Sequence, residues 1–336
     1  MRIWFNHWFS TVCHLIDLMC EGHRGEFTVI GTNKSSLAVY KSHCDEWYLE
    51  PENISAEEYI EFCIDFCVKH EVDIFVPRRF LVEVVRNKQR FDTIGVRLFA
   101  NTDAEMLSIL DDKQKAYDFF NARGVDCIPQ TITAHSFEEF CLAYEKLNDG
   151  KTRVCYKLVQ DEGARSFRVI DDRIETLSGI LERPGSKVTF AAAQKILSNY
   201  DFSNPVLLMP YLSGVEISVD CLKTDRGNII LPRYKNNARY SEIMFTKSIM
   251  ELSESLLEMT GLDMPANIQF KKEGEKPYLL EINPRMSGGL QSSCLATGIN
   301  VPRIALEKLL GKSCSWNYPD FVTRKIANLE TPICLD

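Results

Sequence analysis

Histidine is missing from the last two hundred residues of this 336-residue chain: His7, His14, His23, His43, His70 and His135 all lie before residue 136. Chemistry housed in that stretch cannot use a histidine base, a histidine-ligated zinc or a Ser-His-Asp triad. Carboxylates, amides, lysine and arginine remain, the groups suited to magnesium and phosphate. A basic surplus is also lacking. Lys and Arg total 39 against 47 Asp and Glu, a net charge of −8, which argues against a general nucleic-acid binder. No CxxC or CxxxxC pair has zinc or redox spacing. Cys63 and Cys67 are one helical turn apart, and the other cysteines are scattered singly among apolar residues, as buried free thiols are. That usage suits a reducing cytoplasm. No apolar run approaches the roughly 18–20 residues that span a bilayer. The first apolar stretch is broken by Asn6, His7, His14 and Asp17, so neither a signal peptide nor a membrane partner is expected.

What is present is an ordinary globular mixture, 45% apolar and 26% charged, long enough for two or three packed sub-domains. The first hundred residues alternate strand-like and helix-like patterns. Strands are predicted at 2–5 and 27–30, and shorter apolar runs at 73–76 and 96–99. Helices are predicted over 11–19 and from Ser55, whose capping box is completed by Glu58, through Val68. This is the βαβ rhythm of an open parallel sheet, without the GxGxxG of a dinucleotide site. A helical stretch over 104–122, a helix over 136–147 and a strand over 153–159 follow. After a loop at 182–186 the pattern is mainly antiparallel, with strands near 206–212, 215–223 and 228–233, a helix near 244–259 and a hairpin over 266–283.

That hairpin is the most informative stretch. With Gly274 as its tip, residues 269 and 279 stand opposite each other, as do 267 and 281. The even positions Ala266, Ile268, Phe270, Tyr278, Leu280 and Ile282 then form an apolar face. The odd positions put Asn267, Gln269, Glu281 and Asn283 on the other, a set of hard oxygen donors suited to Mg²⁺. The same pattern also describes a half-exposed hairpin whose polar face meets water. Asn283 runs into Pro284-Arg285-Met286-Ser287-Gly288-Gly289, placing an arginine, the residue for bidentate contact with phosphate or carboxylate, beside that face. Lys157 lies mid-strand, where an unpaired ammonium is costly to bury, and precedes the loop 160–166. Lys113 opens a helix after Asp111-Asp112. Taken singly, each lysine also reads as a surface charge. An aromatic run, Trp4-Phe5-Asn6-His7-Trp8-Phe9-Ser10, either lines a pocket or packs a contact between domains.

In order along the chain, these elements resemble the ATP-grasp superfamily, specifically members similar to the carbamoyl-phosphate synthetase large chain and to amino-acid ligases. Asp112-Lys113 with Phe119 and 124–129 is similar to the family's first helix. Tyr156-Lys157 with 163–167 is similar to its phosphate-binding strand and flap. Residues 209–220 are similar to its adenine hinge, and Asn267-Ile268-Gln269 with Glu281-Ile282-Asn283-Pro284-Arg285 to its metal site. The resemblance covers roughly 105–310. It implies an α/β chain with a Rossmann-like pre-ATP-grasp domain at 1–104, followed by two α+β subdomains at 105–200 and 201–336 that grip ATP.

The implied roles follow the motifs. Lys113 and Lys157 contact ATP phosphates under a flap containing Gly163, Ala164, Arg165 and Ser166. Tyr211 and Leu212 bracket adenine beside Met209. Glu216 reaches the phosphate–metal region with Asp220 in support. Gln269, Glu281 and Asn283 hold Mg²⁺ (or Mn²⁺). Arg285 binds the acyl phosphate or its carboxylate precursor, and Arg233 serves the substrate side; its alternative is a bare charge at a strand end. Three departures stand out. The flap has one glycine, Leu158 replaces a common proline, and Met209 stands where relatives often carry a ribose-binding carboxylate. The implied activity is ADP-forming carboxylate–amine ligation through an acyl phosphate, with small-molecule partners and a possible homodimer. The alternatives are bicarbonate–carboxyphosphate chemistry and a nucleotide-binding module without turnover.

Overall fold

The computed structural model describes residues 1–161, 165–175, 185–236, 240–329 and 332–334. The chain divides into two compact units, one comprising 1–108, 216–269 and 282–336, the other 109–215 and 270–281.

The first unit opens with β1 (Arg2–Asn6), β2 (Thr28–Asn33), β3 (Glu46–Leu49), β4 (Ile74–Val76) and β5 (Arg97–Leu98). They form a sheet in the order β3-β2-β1-β4-β5 with every pairing parallel. Strand alternation explains how both faces are covered. Ile3 and Phe5 pack with helix Val12–Cys20, whereas Trp4 faces the other way, into the cluster of helix Ala56–Lys69. The Ser55–Glu58 capping box is present, satisfying two orphan amides at that helix start. Helices Leu81–Arg86 and Lys88–Thr93 and strand β3 have no counterpart in the sequence reading. Trp4, Phe5 and Trp8 of the aromatic run are buried, and Phe9 is half-buried. Trp4 stacks on Phe75 at 4.0 Å and donates to Thr32 Oγ1, and Trp8 donates to the Val76 carbonyl.

The second unit holds β6 (Ile132–Ala134), β7 (Val154–Leu158), β8 (Arg168–Ile170), β9 (Lys187–Val188) and β10 (Val206–Pro210), ordered β6-β10-β7-β8-β9. The helical stretch predicted over 104–122 consists of two helices, Ala104–Asp111 and Lys113–Asn121, the second opening at Lys113 as read from the sequence. Asp112 separates them because its carboxylate accepts the Lys115 amide at 3.0 Å and starts a new helix.

The chain then builds β11 (Glu216–Thr224), β12 (Gly227–Lys235), β13 (Tyr240–Met244), β14 (Ala266–Glu273), β15 (Lys276–Asn283) and β16 (Thr323–Ala327), ordered β15-β14-β11-β12-β13-β16. The β11–β12, β12–β13 and β13–β16 pairings are antiparallel, the first as expected; β13 and β16 have no counterpart in the sequence reading. The hairpin turn corrects the predicted register: Gly274 and Glu275 both lie in the turn, between strands ending at Glu273 and starting at Lys276. The even-numbered apolar face fails on β15, where Leu279 and Ile282 are the buried residues and Leu280 is only half-buried. The Leu279 amide donates to the Cys127 carbonyl at 2.8 Å, so this strand serves a second segment there.

Candidate functional site

In the second unit, two lysines, one carboxylate and a loop share one region. Lys113, at the start of its helix, is buried and donates Nζ to the carbonyls of Asp161 (2.9 Å) and Val159 (3.3 Å). Lys157 projects from β7, and its ammonium is pushed down to about 8, first by burial and then by the charge of Lys113; Glu281 opposes the shift. Glu281 therefore lies in the electrostatic reach of Lys157. Ser166 closes its loop on both sides. Its hydroxyl donates to Asp161 Oδ2 at 2.6 Å and accepts the Leu158 amide at 2.9 Å. That second bond needs an N–H, which a proline at 158 would lack; the departure at Leu158 thus has a local use. Arg165 is exposed, while Gly163 and Ala164 lie outside the described residues.

Of the residues predicted to flank adenine, Met209 and Leu212 are buried and Tyr211 is half-buried. The Tyr211 amide donates to the Arg153 carbonyl at 2.7 Å, and its ring is flanked by Arg153 (4.6 Å) and Lys271 (5.4 Å). Gly214 is required by close approach, since a Cβ there would stand 2.4 Å from the Lys272 carbonyl oxygen.

The first unit carries the remaining predicted residues. Glu216 pairs with Lys235, its neighbour across β11–β12. Two residues on, Ser218 faces Arg233 in the same register. Arg233 is 6% exposed and donates Nη2 to Ser218 Oγ at 3.2 Å, with Asp220 Oδ2 at 3.9 Å. Asp220 is otherwise occupied: it accepts from Ser287 (2.6 Å), Ser293 (2.7 Å) and Asn267 (2.8 Å). The reading of Arg233 as a bare charge at a strand end is incompatible with this burial. Arg285 and Arg78 both approach the Phe9 ring, at 5.8 and 5.5 Å from its centre. The segment before Arg285 is anchored by Asn101, which donates to the Pro284 carbonyl and accepts the Asp263 and Met264 amides.

Gln269 donates Nε2 to Asn267 Oδ1 at 3.1 Å, which turns its carbonyl oxygen away from that bond. An amide oxygen so presented fits a hard divalent cation, as do Glu281 and Asn283 by donor chemistry. Among the described residues, no three His, Cys, Asp or Glu side chains form a metal-holding group; the proposed set has a single carboxylate.

Sequence reasoning missed Ser287, Gly289 and Ser293 as parts of the Arg233–Asp220 network. The serine–glycine run after Arg285 was the available signal. It also missed Arg153 and Lys271 beside Tyr211, for which only tertiary contacts speak.

Residues 202–331 match the family model described as ATP-grasp in the biosynthetic pathway with Ter operon. The biotin carboxylase domain of Hydrogenobacter thermophilus 2-oxoglutarate carboxylase, solved with MgADP, ADP and bicarbonate, is 14% identical with a TM-score of 0.66, covering 94% of this chain and 71% of that one. An L-amino acid ligase from Bacillus licheniformis is 13% identical with a TM-score of 0.63, covering 92% of this chain and 74% of that one. The fold is therefore α/β with mixed sheets, in the manner of these structures. Among curated proteins, the carbamoyl phosphate synthase large chain of Clostridium acetobutylicum is 26% identical over 240 residues, 65% of this chain and 20% of the relative. The chain thus spans about a fifth of that relative's length. The resemblance to the ATP-grasp superfamily, and to the carbamoyl-phosphate synthetase large chain within it, rests on these findings together.

Proposed function

We propose that the chain is an ATP-dependent carboxylate–amine ligase that forms ADP and works through an acyl phosphate. Lys157 carries this reading. An ammonium depressed to about 8 by burial and by the neighbouring Lys113 is a cation short of counter-charge. A polyphosphate supplies that charge, which Glu281 and Asp161 offset only in part.

Lys157 and Lys113 hold the phosphates, with the Ser166 loop over them and Tyr211, Leu212 and Met209 beside the base. Gln269, Glu281 and Asn283 would hold Mg²⁺, which would neutralise phosphate charge when bound. A substrate carboxylate oxygen attacks the γ-phosphorus in line, the bond to the β–γ bridging oxygen breaks, and ADP leaves with that electron pair. Arg285 and Arg233 keep the acyl phosphate and its precursor in place. An amine then attacks the carbonyl carbon, inorganic phosphate departs, and the amine proton passes to solvent. Such transfer asks mainly for positioning and charge neutralisation, so a histidine-free half chain suffices. Incubation with MgATP and pooled amino acids should release ADP and phosphate; AMP and pyrophosphate would refute the acyl-phosphate route.

A second reading, bicarbonate as first acceptor, is favoured by the curated relative and by the bicarbonate in one neighbour's structure. ATP turnover stimulated by bicarbonate without any amino acid would establish it. We further propose that the parallel sheet within 1–104 is a Rossmann-like pre-ATP-grasp domain, with 105–200 and 201–336 as the gripping subdomains. A cytoplasmic setting suits the twelve free cysteines, and a homodimer is testable by light scattering. No helix among the described residues is long and apolar enough to cross a membrane.

A further inference from the structure

We propose that Lys271 is a third nucleotide-binding lysine, whose ammonium takes the α-phosphate, the anion between a base beside Tyr211 and outer phosphates on Lys157 and Lys113. This rests on the nucleotide site of the ligase reading and adds to it a residue that has no role there.

The end of β14 is fixed against the segment that follows Tyr211. The Gly214 amide donates to the Lys272 carbonyl and the Lys272 amide to the Val215 carbonyl, each at 3.0 Å. The Ser213 amide donates to Glu273 Oε2 at 2.9 Å. Strand alternation sends the side chains of Lys271 and Lys272 to opposite sides. Lys272 turns to Glu275, 3.0 Å away. Lys271 is half-buried, with Nζ 5.4 Å from the centre of the Tyr211 ring. Among the described residues its ammonium has no ion pair and no hydrogen bond. Arg153, the other cation on that ring, is matched by Asp171 at 3.1 Å.

The same ammonium reaches toward the phosphate end. Cys155 and Lys157 lie on one face of β7, where Cys155 packs with Met209 and against Tyr211. Burial pushes the Cys155 thiol up to about 12, and the charges of Lys157 and Lys271 both oppose that shift. The two ammoniums are therefore both within electrostatic reach of one thiol, and Lys271 is the one that also lies over Tyr211. Between the base of a nucleotide and its outer phosphates stand a neutral ribose and an anionic α-phosphate. A half-buried ammonium without counter-charge at that level selects the anion, because a charge-assisted bond offsets its desolvation. Stacking on the Tyr211 ring alone would make no such selection.

The test measures binding of adenosine, AMP and MgADP to the full chain by calorimetry. Lys271→Met should lower AMP affinity about 10- to 100-fold and leave adenosine within about twofold of wild type. Lys271→Arg, which keeps the charge, should hold AMP within about threefold. Lys272→Met, on the opposite side of the strand, should change neither ligand. Circular dichroism verifies folding, and Lys271→Gln carries the same expectation should the methionine variant fail to fold. An AMP affinity within about twofold of wild type in Lys271→Met overturns the assignment. So does an equal loss for adenosine and AMP, which would make Lys271 a packing residue at the base end. If the wild type binds none of the three ligands, the nucleotide site itself fails and the assignment falls with it. If MgADP binds and only the discrimination between AMP and adenosine is unmoved in Lys271→Met, the site stands and Lys271 has no part in it.

Discussion

Two arginine–carboxylate pairs lie buried in the first unit, and they are completed differently. Glu50, its side chain wholly buried, accepts from Arg79 (3.1 Å), Tyr59 (3.0 Å) and Thr32 (2.8 Å). Arg79 in turn donates to the Pro51 carbonyl and lies over the Tyr59 ring at 4.3 Å. Around Asp220 the carboxylate is equally well served, but by two serines and an asparagine, while Arg233 waits at 3.9 Å with Nε unmatched. In the first network charge answers charge and nothing is left over. In the second the carboxylate is satisfied by neutral donors, so the cation keeps its charge for something else. A closed network of this kind stabilises the fold; an open one prepares a ligand site.

That contrast can be broken by experiment. The largest effect is expected for Glu50→Ala, which strands a buried guanidinium and should cost about 3–5 kcal/mol in urea unfolding, with substrate KM in the folded enzyme unchanged. A KM effect there would erase the distinction between the two networks. Asp220→Asn turns amide hydrogens toward donors and should cost about 1–3 kcal/mol, accompanied by a raised KM for the carboxylate substrate. Loss of stability alone would make Asp220 a fold residue like Glu50.

Lys157 extends the contrast to the second unit. Its folded value near 8 lies below the ordinary 10.5, so the unfolded chain holds more protons between those values. Stability should therefore rise from pH 8 to 10.5, and the penalty is fully present below pH 8. Lys157→Met should raise stability at pH 7 by about 1–3 kcal/mol while weakening ATP binding. ATP affinity of the wild type should also fall as pH rises above 8, because bound phosphate holds the proton that free Lys157 has lost. A pH-independent affinity would remove Lys157 from the phosphate site. Smallest is Ser55→Ala, a cap far from either network in role, expected to cost about 1 kcal/mol in thermal unfolding with kinetics unchanged.

Much of the fold was legible because it is written locally. The Ser55–Glu58 box needs only four neighbouring residues, and it is there. The mainly antiparallel character after residue 206 follows from alternation and turns, and β11–β12 pairs as that implies. The start of a helix at Lys113, after Asp111-Asp112, was legible because its cap is a neighbour in the sequence. The hairpin register was misread because one glycine cannot say whether a turn has one residue at its tip or two.

By itself, then, the sequence determined many of the elements, the open parallel start, the exclusion of histidine chemistry and the order of lysine, glutamate, asparagine and arginine that carries the resemblance. Each of these depends on neighbours along the chain. Tertiary structure alone decided which charges are completed. Arg79 and Arg233 are both arginines beside apolar runs, and nothing within a few residues of either tells them apart. The difference lies in partners recruited from afar, Glu50 for one and Ser218 with Gly289 for the other. Desolvation and hydrogen-bond completion are properties of the folded surroundings, so the distinction between a structural cation and a waiting one appears only there.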